Sequence, residues 1–297
     1  MLITEKKVIL LVGAGRSGTN FIAHALAEHP DITNGYENRF IWNIGQRDKR
    51  HDWRDPAEAT PATCNRIQRA LAAVARESGT LIDKTPGNGL RLEFVRAVLP
   101  NAKVVNVIRD GRASLASRMR MWDNSNSNTV KTVQNGRLAK EWDHACEMIR
   151  RGNLPWERLP AFIADSSRIM FNTARGQPRL AGERIPGLSE IARVFGLDIA
   201  RAIQWRDTVT AAVTTGRAMG NSIYHEFRYE DLVHEPAEVA SRLADFLELD
   251  TPRNLITTLS QNADPARANT WRSDIPPERL TLLNSVLRPT LDWLGYE

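Results

Sequence analysis

The stretch Val8-Ile9-Leu10-Leu11-Val12-Gly13-Ala14-Gly15-Arg16-Ser17-Gly18-Thr19-Asn20 decides the fold. Lys7 to Val12 is a β-rich apolar run closed by glycine, which predicts a buried strand. Gly18 to Glu28 places Phe21, Ile22, Ala25 and Leu26 on one face, which predicts a helix directly behind the glycines. Strand, glycine-rich turn and helix N-terminus together make an anion-binding construction. Free backbone N–H groups and the positive end of the helix point at one oxyanion.

Outward from this loop, strand and helix signals alternate through the first 120 residues. Pro61 to Glu77 reads as a helix, Thr80 to Asp83 as a short strand and Leu90 to Leu99 as a helix stopped by Pro100-Asn101. Lys103 to Ile108 is a further strand and Arg112 to Met121 a further helix. Such alternation predicts an α/β fold, a parallel sheet with right-handed crossovers and helices packed on it. Residues 122–220 read differently, as a helical insertion with loops around Asn124–Asn128 and Ala174–Pro186, carrying Trp142, Trp156 and Trp205. A helical insertion of this kind either builds an acceptor pocket or caps the sheet with structural tryptophans. Ser222 to Arg228 returns to strand. Helices follow over Pro236–Leu247 and Pro277–Trp293. No repeat or low-complexity linker interrupts the 297 residues, so the expectation is one domain over 1–297.

Composition narrows the class. With 42% hydrophobic and 25% charged residues the chain reads as globular. No run approaches the ~18 apolar residues of a spanning helix, so no membrane span is expected. The Val8–Val12 run is too short for a signal-peptide core, which predicts a cytoplasmic address. Cys64 and Cys146 fit no metal or redox spacing, and the six histidines form no H-x-x-x-H pattern, so no metal is expected. The net charge is +5, and only seven of the 40 basic residues are lysine. Arginine's planar fork suits phosphate and sulfate. The positive charge is not gathered into one tail, which argues against nucleic acid as a partner.

The loop admits three readings. Gly13-x-Gly15-x-x-Gly18 matches a dinucleotide fingerprint. That fingerprint asks for a second strand ending in an acidic residue about 20 positions on. His29-Pro30-Asp31-Ile32-Thr33-Asn34-Gly35 reads as a poor strand. The spacing Gly13-x-x-x-x-Gly18 also fits a nucleotide P-loop, but Thr19 and Asn20 stand where a kinase or ATPase has Lys and Ser or Thr. The third reading puts the cation inside the loop, as Arg16-Ser17-Gly18-Thr19. This resembles the 5′-phosphosulfate loop of sulfotransferases, where a basic residue precedes Ser-Gly-Thr. A second constellation favours it: Arg109 follows the strand Lys103–Ile108, and Ser117 lies eight positions later, two helical turns along the next helix. The sulfotransferase 3′-phosphate site has this spacing, and such a pair clamps one phosphate from two sides.

The chain therefore resembles the sulfotransferases that use 3′-phosphoadenosine-5′-phosphosulfate, and its N-terminal half is similar to the protein-tyrosine sulfotransferases. The matching pieces are Gly13–Thr19, His29-Pro30, Glu37, Lys84-Thr85-Pro86, Arg109–Ser117, Arg228-Tyr229-Glu230-Asp231-Leu232 and Leu294-Gly295-Tyr296. The resemblance implies that Arg16 contacts the 5′-phosphosulfate while Ser17, Gly18, Thr19 and Asn20 wrap it. It implies Glu37 as general base and Lys84 as the cation on the bridging oxygen. Arg109 and Ser117 hold the 3′-phosphate, and Tyr229 lines the nucleotide pocket. The implied co-substrate is the phosphosulfate, with no metal, and the implied partner is an acceptor bearing a hydroxyl: a small molecule, a glycan or lipid head group, or a peptide tyrosine. Arg39, close behind Glu37, is a candidate for an acidic acceptor. The sequence also departs from the pattern. The animal protein-tyrosine enzymes are membrane-anchored and disulfide-bonded, whereas this sequence shows neither an anchor segment nor a suitable cysteine pair. Met121 stands where they have a basic residue, with Arg118 or Arg120 as substitutes. Thr270 precedes Trp271 where they have lysine, with Arg267 or Arg272 to compensate. The alternatives are a P-loop kinase or ATPase, an NAD(P)-binding protein, or a nucleotide-binding module without catalysis.

Overall fold

Five strands form one parallel sheet in the order β2-β3-β1-β4-β5: β1 Lys7–Val12, β2 Ile32–Asn34, β3 Thr80–Asp83, β4 Lys103–Ile108 and β5 Tyr224–Arg228. The computed structural model describes residues 3–48, 50–121, 146–155, 158–160, 162–164, 167, 180–250 and 253–297. β1 is the central strand. Lys7 pairs with Thr80 on one side and Val12 with Asn106 on the other. Its apolar run is explained by burial on both faces, as parallel sheets require. Ile9 and Leu11 pack into one core with helices α1 (Thr19–Leu26) and α9 (Pro236–Leu247). Val8, Leu10 and Val12 pack into a second, with α3 (Pro61–Ala75) and α4 (Leu92–Val98).

Further α-helices are α2 (Arg39–Trp42), α5 (111–121), α6 (Leu188–Phe195), α7 (Leu197–Ala218), α8 (Tyr229–His234), α10 (Arg253–Asn262), α11 (Ala266–Asn269), α12 (Trp271–Asp274) and α13 (Pro277–Trp293). A third core joins α5, α7 and α13 around the fully buried Trp205. Thus Trp205 packs rather than lining an acceptor pocket, and its indole Nε1 donates to the Arg109 carbonyl at 3.1 Å. Trp142, Trp156 and the loop expected around Asn124–Asn128 lie outside the described residues.

One sequence expectation needs correction. The poor strand around residues 29–35 is a real strand, β2, paired in register with β3 from Ile32↔Thr80 to Asn34↔Ile82. It is three residues long and sits at the sheet edge, so its strand character comes from pairing rather than from its own composition. Its position also weighs against a dinucleotide fold. There the second strand lies beside the first, and its acidic end reaches the ribose. Here β3 stands between them.

Candidate active site

The carboxyl ends of all five strands converge on one edge of the sheet, where parallel α/β folds bind ligands. β1 feeds the loop carrying Arg16, β2 leads to Glu37, β3 to Lys84, β4 to Arg109 and β5 to Tyr229. Residues far apart in sequence are gathered because each strand delivers its next residue to the same rim.

On the loop side, Arg16 adopts a left-handed backbone with φ 74°. Its Nε donates to Ser117 Oγ at 3.2 Å, so the two halves of the expected phosphate sites touch. Arg109 Nη1 donates to the Arg16 carbonyl at 2.9 Å and its Nη2 to the Arg267 carbonyl at 2.7 Å. The Arg109 guanidinium lies 4.3 Å from the centre of the Tyr229 ring, a cation–π contact. Ser17 is buried and donates to the Ala14 carbonyl at 2.6 Å, stiffening the turn. Burial, then the charges of Arg118 and Arg120, hold the Arg16 guanidinium below its ordinary pKa. Burial also lowers Arg109, with Arg120 and Arg16 adding to it against the opposing pull of Tyr229 and Glu230. The buried Arg109 Nε has no hydrogen-bond partner among the described residues. Crowded cations with a spare buried donor are what a polyanionic ligand would satisfy.

Across the rim, Lys84 Nζ donates to Glu37 Oε1 at 2.7 Å. The lysine side chain is 6% exposed and the glutamate 60%, so the carboxylate is the accessible member. Next to Lys84 in sequence, Asp83 is a fully buried carboxylate at the end of β3. It accepts from Asn38 Nδ2 and Trp42 Nε1, each at 2.8 Å, and from Asn88 Nδ2 at 3.2 Å. Burial pushes the Asp83 carboxyl up, and hydrogen bonds from Trp42, Asn38 and Thr85 and the charge of Arg91 oppose the shift. Asn38 follows Glu37, and its backbone N–H donates to Thr85 Oγ1 at 2.9 Å. The Glu37 turn and the Lys84 turn are thereby knitted together.

A cleft of about 290 Å³ opens between these groups, lined by Arg16, Thr19, Asn20, Glu37, Arg39, Lys84 and, from the helical middle, Ala181–Glu183. Gly18 and Tyr229 face each other behind it. Arg118 lines the cleft, but its guanidinium is bonded to Glu183 and Gln204. Arg120 pairs with Asp274. Arg267 meets Arg109 through its carbonyl and turns its side chain to Asp264, and Arg272 lies over Trp271. Among the described residues no cluster of His, Cys, Asp and Glu could hold a metal ion, and no helix is long and apolar enough to cross a membrane.

The sequence profile of the sulfotransferase family matches residues 9–162, just over half of the chain. The chain belongs to the sulfotransferase family. It is 33% identical over 138 residues to a nodulation protein, NoeE, of Sinorhizobium fredii, covering 39% of this chain and 32% of that one. It is 30% identical over 127 residues to human protein-tyrosine sulfotransferase 1, covering 38% and 34%. The chain thus spans less than half the length of the curated relatives it matches. Its fold matches the sulfotransferase domain of the curacin biosynthetic pathway, with TM-score 0.55 and 16% identity over 98% of both chains. The sulfotransferase domain of a Synechococcus olefin synthase gives 0.51 and 18%, covering 98% of this chain and 95% of that one. The P-loop-like parallel sheet flanked by helices is accordingly the sulfotransferase fold.

Sequence reasoning missed Asp83, Asn38 and Glu183. Asp83 could have been found, because a carboxylate closing an apolar strand beside Lys84 must be buried and partnered. Glu183 sits 168 positions from the glycine loop it touches, in the part of the chain beyond the family match, and carries no local signal.

Proposed function

We propose that this sulfotransferase transfers a sulfuryl group from 3′-phosphoadenosine-5′-phosphosulfate to a hydroxyl of an acceptor, acting as a single domain over 1–297 in the cytoplasm. The observation that carries the reading is the junction of Arg16, Ser117 and Arg109 at the carboxyl end of the sheet, with Lys84 and Glu37 facing it across one cleft. Arg16, Ser17, Gly18, Thr19 and Asn20 take the 5′ end of the donor, since backbone N–H groups at a helix start are the natural anion ligands. Arg109 and Ser117 take the 3′-phosphate, and Tyr229 supports the nucleotide through Arg109.

Glu37 is the general base. It is the exposed carboxylate of the cleft, whereas Asp52 and Glu183 are buried in ion pairs. It accepts the acceptor's hydroxyl proton as the oxygen forms its bond to sulfur and the bond from sulfur to the bridging phosphate oxygen breaks. Lys84 and Arg16 neutralise the charge left on that phosphate. This is electrostatic stabilisation by groups already in place, and it needs no metal. The relatives named protein-tyrosine sulfotransferases make a peptide tyrosine one acceptor class. Small molecules and glycan or lipid head groups are the others, with Arg39 placed on the cleft wall to meet acidic neighbours of the hydroxyl.

Isothermal titration with 3′-phosphoadenosine-5′-phosphate, ATP–Mg²⁺ and NADP tests the donor. Binding of the bisphosphate alone, unchanged by a chelator, is expected. Binding only of ATP–Mg²⁺ or of NADP refutes the reading.

A further inference from the structure

Residues 180–185 form a non-helical strap that touches the glycine loop. Its carboxylate, Glu183, is 1% exposed. The Gly15 N–H donates to Glu183 Oε1 at 2.6 Å, and Arg118 Nη2 donates to Oε2 at 3.1 Å. The Gly15 carbonyl accepts from Ser114 Oγ at 2.8 Å and from Arg118 Nε at 3.3 Å. Both polar groups of Gly15 are therefore fixed, on opposite sides, by side chains from two other parts of the chain. A Cβ there would stand 2.5 Å from Arg118 Nη2, so a larger residue would have to displace that guanidinium. Gln204 on α7 completes the frame. It accepts from Arg118 Nη1, and its Nε2 donates to the Glu183 carbonyl at 2.6 Å.

The next residue is Arg16, whose left-handed backbone is strained for a side chain of its size. Such a conformation persists only where its surroundings over-determine it. The fixed Gly15 peptide does that, and it sets the direction in which Arg16 leaves the loop toward Ser117. A carboxylate beside an anion-binding loop would by itself repel the ligand. Arg118 balances its charge, which leaves Glu183 as a hydrogen-bond anchor.

We propose that Glu183 is a positioning residue, which holds Gly15 and through it Arg16 in the geometry that receives the donor and ties the strap of the cleft wall to the donor loop. The inference rests on the donor reading above.

The test titrates wild type, Glu183→Ala and Glu183→Gln with 3′-phosphoadenosine-5′-phosphate, with melting temperatures recorded alongside. Loss of a charge-assisted bond predicts roughly a tenfold to hundredfold weaker affinity for Glu183→Ala. The amide oxygen of Glu183→Gln still accepts from Gly15, so most of the affinity returns. A purely structural role would lower both melting temperatures and leave the affinities alike. Wild-type affinity in a folded Glu183→Ala overturns the proposal. Tighter binding overturns it too, because the carboxylate would then compete with the donor. If Glu183→Ala does not fold, Arg118→Gln replaces it, with weakened affinity expected and unchanged affinity overturning the role. Wild type that binds no bisphosphate refutes the donor reading itself, and this inference with it.

Discussion

Lys84 and Glu37 neutralise one another across the open cleft, and the asymmetry of the pair sets what happens next. Lys84 is fixed by burial and by its backbone N–H, which donates to the Tyr36 carbonyl at 3.1 Å, while Glu37 reaches solvent. Solvent screens the exposed side of the pair, so an arriving polyanion that gives Lys84 Nζ a second acceptor leaves the exposed Glu37 free to act as base. Glu37→Gln keeps the size and removes the basicity. Turnover with a phenol as probe acceptor should fall about 10²–10⁴-fold, the usual contribution of a general base. The bisphosphate Kd should stay within about threefold, since Glu37 is not among the donor ligands proposed. Retained turnover would place the base elsewhere in the cleft.

The junction of β1 and α1 shows how an element's end is built for a ligand. Gly18 has φ 94°, and a Cβ there would lie 2.6 Å from the Tyr229 ring. That ring carries the Arg109 guanidinium on its face. Gly18→Ala should therefore cost about 1–2 kcal/mol for the left-handed backbone alone. That corresponds to a melting temperature lower by about 2–4 °C per kcal/mol. The displaced Tyr229 should also move Arg109, so bisphosphate affinity should drop with stability. A variant that melts lower yet binds as tightly would uncouple the ring from the site. Elements like β1, β3, β4, α9 and α13 were legible in the sequence because continuous apolar runs or helical faces are bounded by Gly, Pro or charge. The strand β2 was not, because three edge residues owe their conformation to β3. The helix α10, Arg253–Asn262, was not read either. In the candidate site, Arg16, Glu37, Lys84 and Arg109 were legible as motif positions after strand ends, and Ser117 by its spacing within the helix that follows Arg109. Behind them, Asp83 could be read as a carboxylate closing an apolar strand, whereas Glu183 could not, since its partners are brought together only by folding.

At the scale of the whole molecule, the strap and the N-terminal half are zipped together at Asp52. Its backbone N–H donates to the Arg184 carbonyl at 2.8 Å, and Arg184 returns a backbone bond at 2.9 Å and a guanidinium bond at 2.7 Å to the carboxylate. Burial acts to raise the Asp52 pKa, but the charges of Arg91 and Arg184 outweigh it, and the carboxyl titrates below its ordinary value. The sign follows from linkage. A carboxylate depressed in the folded state contributes stability that is present above its unfolded pKa near 3.9 and is lost as pH falls through the folded value. The fall should therefore start near pH 4–5 and continue below it. Asp52→Asn removes this dependence. At pH 7 it should melt lower than wild type, because the buried Arg91 and the half-buried Arg184 lose their carboxylate, a loss of up to about 3 kcal/mol. Between pH 5 and 3 its melting curve should descend less steeply than that of wild type, so that the two converge. Parallel curves across that range would mean that other carboxylates govern the acid limb. Convergence would show that the joint holding the cleft wall to the sheet edge is also where acid opens the molecule, since the strap released from Asp52 is the strap that carries Glu183 to the donor loop.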